Sequence, residues 1–201
     1  MMPRIRLLTD FRRLYRLLQG GTVFCAFDTE TTGLSSRHDR VIEVGAVKFT
    51  KDGMLDTFGT LVNPGIPLPP ICAQISHITD DMVRCTPTTA AVLPDFLRFA
   101  DGCVLVAHNA PFDIKFTNAE LERCALSALA NQAVDTLALS RWAYPANGHW
   151  SLQVLAKQFG IDVHAAHRAS DDARVCMEVF LRCIRDTMDR QKPLVEEQRL
   201  F

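Results

Sequence analysis

Several features of other protein classes are missing from this sequence. It has no apolar run near the roughly 20 residues that a membrane-spanning helix requires, and no two cysteines stand in a Cys-x-x-Cys spacing. Its seven cysteines are scattered along the chain, which fits neither a disulfide framework nor a zinc module. The formal net charge is −1, so the chain also lacks the strongly basic character of proteins that wrap duplex nucleic acid. We therefore expect a cytoplasmic protein with no membrane partner.

The length and composition indicate one α/β domain with short extensions. Of the 201 residues, 48% are hydrophobic, which is enough for one substantial core. We divide the chain into an amphipathic N-terminal helix over residues 1–20, a main domain over residues 21–190 and a polar tail over residues 191–201. Apolar residues recur at helical spacing in the first segment, at Leu7, Phe11, Leu14 and Leu18.

Strand-like and helical segments alternate in the main domain. β-branched and aromatic residues are concentrated in Thr22–Phe27 and Val41–Val47, and Asp52–Gly53 predicts a hairpin turn before Met54–Val62. Helical periodicity is clearest in Thr88–Ala100, Phe112–Ala125, Ser151–Phe159 and Ala169–Thr187. The alternation predicts a mixed sheet with helices on its faces.

Two acids lie at the end of the first predicted strand. Asp28 and Glu30 follow Thr22–Phe27, and strand side chains alternate between faces, so both acids project to the same side while Thr29 points away. Carboxylates this close repel each other unless a cation lies between them. The pair indicates a metal site, although an Asp-x-Glu triplet by itself is too common to be specific.

A third acid follows another buried strand. Asp113 comes after the apolar run Cys103–Ala107, and Pro111 suits the first turn of a helix because its missing N–H costs nothing there. An acid in a first helical turn also complements the helix dipole, which is the alternative explanation for Asp113. The presence of Asp28 and Glu30 favours the metal interpretation.

A fourth acid and a histidine stand at the start of the last predicted helix. At about 100° per residue, Asp172 shares the inward face with Cys176 and Val179, whereas Asp171 lies on the solvent side. An ionised carboxylate on a buried face must be paired or bound to a metal. His167 just precedes this helix and can overhang the same site. We therefore expect Asp172 to be functional and Asp171 to be solvated.

Together these segments resemble the three motifs of the DEDDh 3′-to-5′ exonuclease superfamily, most closely those of the epsilon-type proofreading subunits of bacterial DNA polymerase III. The matching segments are Phe27–Leu34, His108–Asp113 and His167–Asp172, in the family's order. The resemblance implies a ribonuclease-H-like exonuclease fold with a mixed five-stranded sheet flanked by helices. It also implies hydrolysis of DNA from the 3′ end with release of 5′-mononucleotides, in proofreading or repair.

Two divalent cations, Mg²⁺ or Mn²⁺, suit this set of oxygen ligands and could stabilise the attacking and the leaving oxygen of a phosphoryl displacement. We assign Asp28 as the bridging ligand, with Glu30 and Asp172 completing the coordination of one ion. By resemblance, Asp113 serves the second ion. His167 is assigned as the general base, since imidazole titrates near neutral pH.

The resemblance also implies a substrate-binding edge. Backbone N–H groups around Gly33 can approach a nucleotide closely because glycine has no side chain. Leu34 and Ile78 would wedge the terminal base, with Phe112 packed nearby. Family members often carry His-Gly before the Ile-Thr pair, where this chain has Ser76–His77. The full set predicted to bind substrate is Thr31, Thr32, Gly33, Leu34, Ile78, Thr79, Asn109 and Phe112.

The expected partner is a single-stranded or frayed DNA 3′ end, with a replicative polymerase or a sliding clamp as further candidates. The terminus, Glu197–Phe201, resembles short clamp-docking motifs. Because Glu197 stands where such motifs usually begin with glutamine, the sequence favours the alternative of an ordinary tail with no docking role. Two alternative functions are open. One is an exoribonuclease that trims RNA 3′ ends. The other is a non-catalytic module that binds nucleic acid or a polymerase, although such a module has no use for crowded carboxylates.

Overall fold

The computed structural model describes residues 6–191, with side chains as far as residue 188. Within this range the strands are β1 (Arg6–Leu7), β2 (Phe24–Thr31), β3 (Val41–Thr50), β4 (Gly53–Leu61), β5 (Val104–Ala107) and β6 (Gln132–Asp135). The helices are α1 (Phe11–Gln19), α2 (Pro70–Ile75), α3 (Asp80–Val83), α4 (Thr89–Ala100), α5 (Ala110–Arg123), α6 (Thr136–Ala143), α7 (Leu152–Phe159) and α8 (Ala169–Gln191). The four helices predicted from periodicity correspond to α4, α5, α7 and α8.

The strands form one mixed sheet in the order β1-β6-β5-β2-β3-β4. The pairs β1/β6, β6/β5 and β5/β2 are parallel, whereas β2/β3 and β3/β4 are antiparallel. The predicted mixed sheet is confirmed, but within residues 6–191 it has six strands where the sequence predicted five. The additional strand is β1, whose two residues pair with Gln132 and Ala133 at one edge. A strand of two residues is too short to show a period in the sequence.

The N-terminal helix is shorter than predicted. The Asp10 side chain accepts hydrogen bonds from the backbone N–H groups of Arg12 at 3.1 Å and Arg13 at 3.0 Å. This cap makes α1 begin at Phe11, so Leu7 belongs to β1 and not to the helix. Residues 1–5 and 192–201, which include the predicted clamp-docking motif, lie outside the described residues. No helix in the described part of the chain is long and apolar enough to cross a membrane.

The sheet separates two apolar layers. Phe24 faces α8, where the centroid of its ring lies 5.1 Å from that of Phe180. Phe27 faces the opposite layer, which α4 and α5 cover. Because the alternation continues to the end of β2, Asp28 and Glu30 extend toward α8. The position of the acids thus follows from the packing of the strand that carries them.

Two glycines allow the first turn of α8 to lie directly on the sheet. A Cβ atom at Gly45 of β3 would come closer than 3.0 Å to backbone atoms of Ala169 and Ser170. A Cβ atom at Gly59 of β4 would meet only the Ser170 hydroxyl at less than 3.0 Å, and a side-chain end can move. The contact therefore requires glycine at position 45, and it determines how closely Asp172 approaches β2.

We predict that Gly45→Ala displaces the first turn of α8. The added methyl group would meet backbone atoms, so the overpacking should lower the free energy of unfolding by about 1–3 kcal/mol or more. Chemical denaturation measures the change. As a control, a Cβ atom at Gly148 would meet nothing within 4 Å, so Gly148→Ala should have an effect within about 0.5 kcal/mol. Equal stability of the two variants would contradict the requirement for glycine at position 45.

Candidate active site

The ends of three elements meet at one edge of the sheet. β2 and β5 are parallel neighbours, so their carboxyl ends lie side by side. Asp28 and Glu30 lie at the end of β2, Asp113 in the first turn of α5, which follows β5, and Asp172 in the first turn of α8. The charges of the other three acids all act on Asp28. The structure thus brings the four predicted acids together.

His167 joins this cluster from the loop before α8. Three side-chain atoms that could each bind a metal lie within 4.8 Å of one another, one each from Glu30, His167 and Asp172. Asp172 is buried and Glu30 is half-buried, whereas His167 is exposed. His167 also has a left-handed backbone conformation with a φ of 60°, which is uncommon for a residue other than glycine. The imidazole therefore lies on the solvent side of the acids.

The carboxyl groups are close enough to change one another's titration. Burial raises the pKa of Asp28 well above its ordinary value, and the charges of Asp113 and Asp172 raise it further. Burial and the charge of Asp172 likewise raise the pKa of Glu30 to about 7. Like charges in a buried site penalise ionisation, and a cation among them removes that penalty. The electrostatics of the cluster therefore favour a bound cation.

Asp113 is held by the residue between the first two acids. Its Oδ1 accepts a hydrogen bond from the Thr29 backbone N–H at 3.0 Å and another from the Thr29 hydroxyl at 2.9 Å. Burial raises the pKa of Asp113 to about 7, although these two hydrogen bonds act to lower it. The sequence predicted only that Thr29 points away from Asp28 and Glu30. In the structure, the Thr29 side chain on that opposite face contacts Asp113.

Two hydrogen bonds fix the carboxyl group of Asp172. Gln153 of α7 donates from Nε2 to Oδ1 at 2.9 Å, and the His167 backbone N–H donates to Oδ2 at 3.1 Å. Burial raises the pKa of Asp172. Gln153 was not predicted from the sequence, because only the packing of α7 beside α8 brings it to the site.

An ion pair with a buried carboxylate anchors the residue next to His167. Glu43 of β3 is only 3% exposed. It accepts hydrogen bonds from Arg168 Nη2 at 2.8 Å, from Arg168 Nε at 3.1 Å and from the Ala169 N–H at 3.0 Å. This pair was not predicted from the sequence. The available signal was an acid inside the apolar run Val41–Val47, because a buried carboxylate needs a partner.

The prediction that Asp171 is solvated is wrong. Its side chain is 10% exposed and forms an ion pair with Arg174 at 2.7 Å. Its Oδ2 accepts hydrogen bonds from the backbone N–H groups of His164 at 2.7 Å and Ala165 at 2.8 Å. Burial acts to raise the pKa of Asp171, but these bonds and the Arg174 charge lower it overall. The loop before α8 folds over this face of the helix, and helical phase alone cannot show that.

The two residues predicted to wedge the terminal base differ in exposure, since Leu34 is exposed and Ile78 is buried. Leu34 is 86% exposed. Ile78 has no exposed surface and packs with Ile42 and Leu68 in a small cluster of its own. The structure contradicts the predicted wedge role of Ile78, because the segment between α2 and α3 turns this side chain inward.

The structure explains the glycine at position 33 by a contact within the loop, and not by the predicted approach of a nucleotide. The space where its side chain would lie is occupied by the Asp39 carboxyl group, so the loop itself requires glycine there. The Thr31 hydroxyl donates a hydrogen bond to the Gly33 carbonyl at 2.6 Å, and Thr32 is buried. Of the other residues predicted to bind substrate, Thr79 and Asn109 are exposed and Phe112 is half-buried.

We predict that the metal-free protein loses stability as the pH rises from about 5 to about 8. Glu30 and Asp113, with pKa values raised to about 7, keep protons in the folded state at pH values where the unfolded chain has released them. Their stabilising contribution is therefore present at low pH and lost as the pH rises through about 7. Glu30→Gln removes one repelling charge and should raise the metal-free thermal midpoint at pH 8, by about 2–4 °C per kcal/mol.

Thermal unfolding with and without Mn²⁺ checks this prediction. A cation that binds only the folded protein raises its midpoint, so Mn²⁺ should stabilise the unmodified protein more than Glu30→Gln. The control is Asp101→Asn, an exposed residue in front of β5, at the opposite edge of the sheet. Equal stabilisation of all three proteins by Mn²⁺ would contradict a cation site at Glu30.

A family model named RNase_T, described as Exonuclease, matches residues 25–180. The chain belongs to this exonuclease family. The matched stretch includes β2 from Cys25 onward, α5 and the first turn of α8, and thus every residue of the acidic cluster. The resemblance to DEDDh exonucleases drawn from the sequence is confirmed, and the chain is a metal-dependent 3′-to-5′ exonuclease.

Two relatives contain a region similar to this chain. The DNA polymerase III subunit epsilon of Treponema pallidum is 52% identical over 163 residues, which cover 80% of this chain and 76% of that subunit. The DNA polymerase III PolC-type of Caldanaerobacter subterraneus is 42% identical over 161 residues, which cover 80% of this chain and 11% of the PolC protein. The exonuclease therefore spans about a tenth of the PolC-type relative.

Solved structures share the fold. Exonuclease X in complex with 5′ overhanging duplex DNA superposes with a TM-score of 0.63 at 25% identity, covering 84% of this chain and 92% of that one. A 3′-exonuclease that recognises a histone mRNA stem-loop superposes with a TM-score of 0.73 at 20% identity, covering 83% of each chain. At that identity the second likeness shows the fold alone. The predicted ribonuclease-H-like exonuclease fold is confirmed.

Proposed function

We propose that this exonuclease hydrolyses DNA from the 3′ end and releases 5′-mononucleotides, in proofreading or repair beside a replicative polymerase. The observation that carries the proposal is the convergence of Glu30, His167 and Asp172 within 4.8 Å, next to Asp28 and Asp113. The names of the relatives, a polymerase III subunit and a PolC-type polymerase, support DNA as the substrate and a polymerase as the partner.

The donor set fits hard divalent cations such as Mg²⁺ or Mn²⁺. These ions prefer oxygen ligands, and the four acids of the cluster supply them. The raised pKa values of Asp28 and Glu30 are the penalty that a bound cation would relieve. When bound, two such ions supply charge stabilisation for the attacking and leaving oxygens of a phosphoryl displacement.

The acids would divide between two cation positions. We assign Asp28 as the ligand that would be shared, because the charges of both Asp113 and Asp172 act on it. Glu30 and Asp172 would complete the first position. Asp113, oriented by Thr29, would serve the second.

His167 is assigned to accept the proton of the attacking water. Its backbone N–H is held by Asp172 and the neighbouring Arg168 is held by Glu43. These contacts support a left-handed backbone that would otherwise be unfavourable, and strained conformations of this kind cluster at functional sites. The loop therefore presents the imidazole at a fixed place on the solvent side of the acids.

The terminal nucleotide would rest on apolar side chains. Leu34 is almost fully exposed. Phe112 is half-buried and packs against Phe116 at a tilt of 41°, with ring centroids 4.7 Å apart. Both side chains would offer surface to a base. Stacking of this kind tolerates any base. We therefore propose little sequence preference. Thr31 and Gly33 would contribute backbone N–H groups, whereas the Thr32 N–H already donates to the Arg40 carbonyl at 2.9 Å.

End-labelled substrates test the proposal. With Mg²⁺ or Mn²⁺, single-stranded DNA and the mismatched end of a duplex should be shortened from the 3′ end, and a paired end should be shortened more slowly because it must first fray. Faster turnover of RNA would overturn the assignment of DNA. A protein that binds these ends without shortening them would be a non-catalytic module.

We predict that His167→Ala lowers turnover about 10²–10⁴-fold with cation binding largely retained, because it removes a general base and no ligand. Initial rates on single-stranded DNA and calorimetric titration with Mn²⁺ measure the two effects. His164→Ala is the matched control, since His164 is exposed in the same loop and its contact to Asp171 uses only the backbone. A parallel loss of Mn²⁺ affinity in His167→Ala would make His167 a ligand instead.

We also propose that Glu197–Phe201 docks into a sliding clamp, which would raise the local concentration of the exonuclease at a primer end. Deleting Leu200 and Phe201 should leave turnover on short oligonucleotides unchanged and lower clamp-dependent activity. Equal clamp affinity of the full and shortened chains would eliminate this proposal. The cytoplasm is the proposed location, because bacterial replicative polymerases work there.

A further inference from the structure

A basic groove beside the active site has no role in the chemistry assigned so far. It is an open cavity of about 630 Å³ between the loop that follows β2 and the outer face of α5. Its lining includes Ser35, Ser36, Arg37, Lys115, Ala119 and Arg123. Glu122 adds one negative charge, so the positive charges outnumber the negative one by three to one.

Both walls of the groove continue from segments assigned to the substrate. Ser35 directly follows the exposed Leu34. On α5, residues three, seven and eleven positions apart share one stripe, so Phe112 lies in line with Lys115, Ala119 and Arg123. At 1.5 Å per residue this stripe is about 16 Å long. The groove therefore begins where the terminal nucleotide would lie and leads away from the acids.

The walls are held together before any ligand arrives. Arg123 donates from Nη2 to the backbone carbonyls of Ser36 at 2.6 Å and Arg37 at 2.9 Å, and from Nη1 to Glu120 at 2.8 Å. The loop is closed by a hydrogen bond from the Ser35 N–H to Asp39 at 2.8 Å. The groove thus has a fixed shape, because the hydrogen bonds of Arg123 join its two walls.

Two of the cations are free to bind something else. Arg37 and Lys115 are exposed, and neither forms an ion pair with any carboxylate in residues 6–188. The lining consists of charged and small side chains, with no aromatic ring among the described residues. Such a surface suits a phosphate backbone and offers nothing that reads a base edge.

We propose that this groove binds the phosphodiester backbone of the DNA strand upstream of its 3′ end. The inference rests on the proposed function, and it names the residues that hold the strand while the terminal nucleotide is cut. Arg37 and Lys115 contact phosphates, and Arg123 keeps the walls in place. Contacts of this kind carry no sequence information, in keeping with an enzyme that must shorten any strand.

Charge reversal at the two free cations tests the proposal. With Mn²⁺ and a single-stranded oligonucleotide of about 12 nucleotides, Arg37→Glu and Lys115→Glu should each raise KM about tenfold and leave kcat within about twofold. The dependence of log KM on log salt should become shallower by about 0.7 for each lost contact. Hydrolysis of the p-nitrophenyl ester of thymidine 5′-monophosphate should be unchanged, since it has no upstream phosphates.

Two matched variants accompany the reversals. Lys115→Arg keeps the charge and should keep the KM of the unmodified protein. Lys51→Glu reverses a charge in the β3–β4 turn, at the opposite end of the sheet, and should also have no effect. A KM for the oligonucleotide that is unchanged in both reversals would overturn the proposal. An equal loss of activity on the oligonucleotide and on the ester would also overturn it, because it would indicate damage to the catalytic site.

Binding without hydrolysis separates this inference from the proposed function. If the unmodified protein hydrolyses neither substrate, the proposed function fails. Fluorescence anisotropy with the same oligonucleotide in EDTA then still measures whether the groove contributes to DNA affinity. Weaker binding by Arg37→Glu and Lys115→Glu, but not by Lys51→Glu, supports it, and equal binding by all the proteins overturns it.

Discussion

The close packing of the first turn of α8 on β3 is the contact on which the active site depends. The missing side chain at Gly45 lets the helix backbone touch the strand, and Glu43 binds both the Arg168 side chain and the Ala169 N–H. Because a helix is stiff, the position of its first turn also determines where Asp172 lies. A strand and a helix far apart in the sequence thus become one rigid support for the chemistry.

This packing has an electrostatic consequence. It brings Asp172 into a cluster where burial and like charges raise the pKa of Asp28 and Glu30, and the same negative charge repels a nucleic acid when no cation is bound. The basic groove, which Arg37 and Lys115 help to line, runs along α5, the helix that carries Asp113 in its first turn. A net charge of −1 conceals this separation into an acidic centre and a basic approach, which suits an enzyme that must hold a polyanion beside crowded carboxylates.

Much of the fold and of the acidic cluster could be predicted from the sequence. Alternation along β2 sets Asp28 and Glu30 on one face, and helical phase turns Asp172 inward, because both depend only on the geometry of a single element. The four longest periodic segments and the Asp52–Gly53 hairpin were readable for the same reason. The order of the three motifs then identified the family, whose known chemistry gave His167 its predicted role.

The sequence by itself therefore determined the periodicity of the apolar residues, the type of each element and the face of that element on which each side chain lies. Only the tertiary structure decided which distant groups meet. Glu43 pairs with Arg168 across 125 positions, a loop covers Asp171, and Ile78 is enclosed in a core of its own. These outcomes depend on how loops close and which surfaces lose contact with water, and both are set by the packing of the whole chain, whereas periodicity reports only the dihedral geometry of one element.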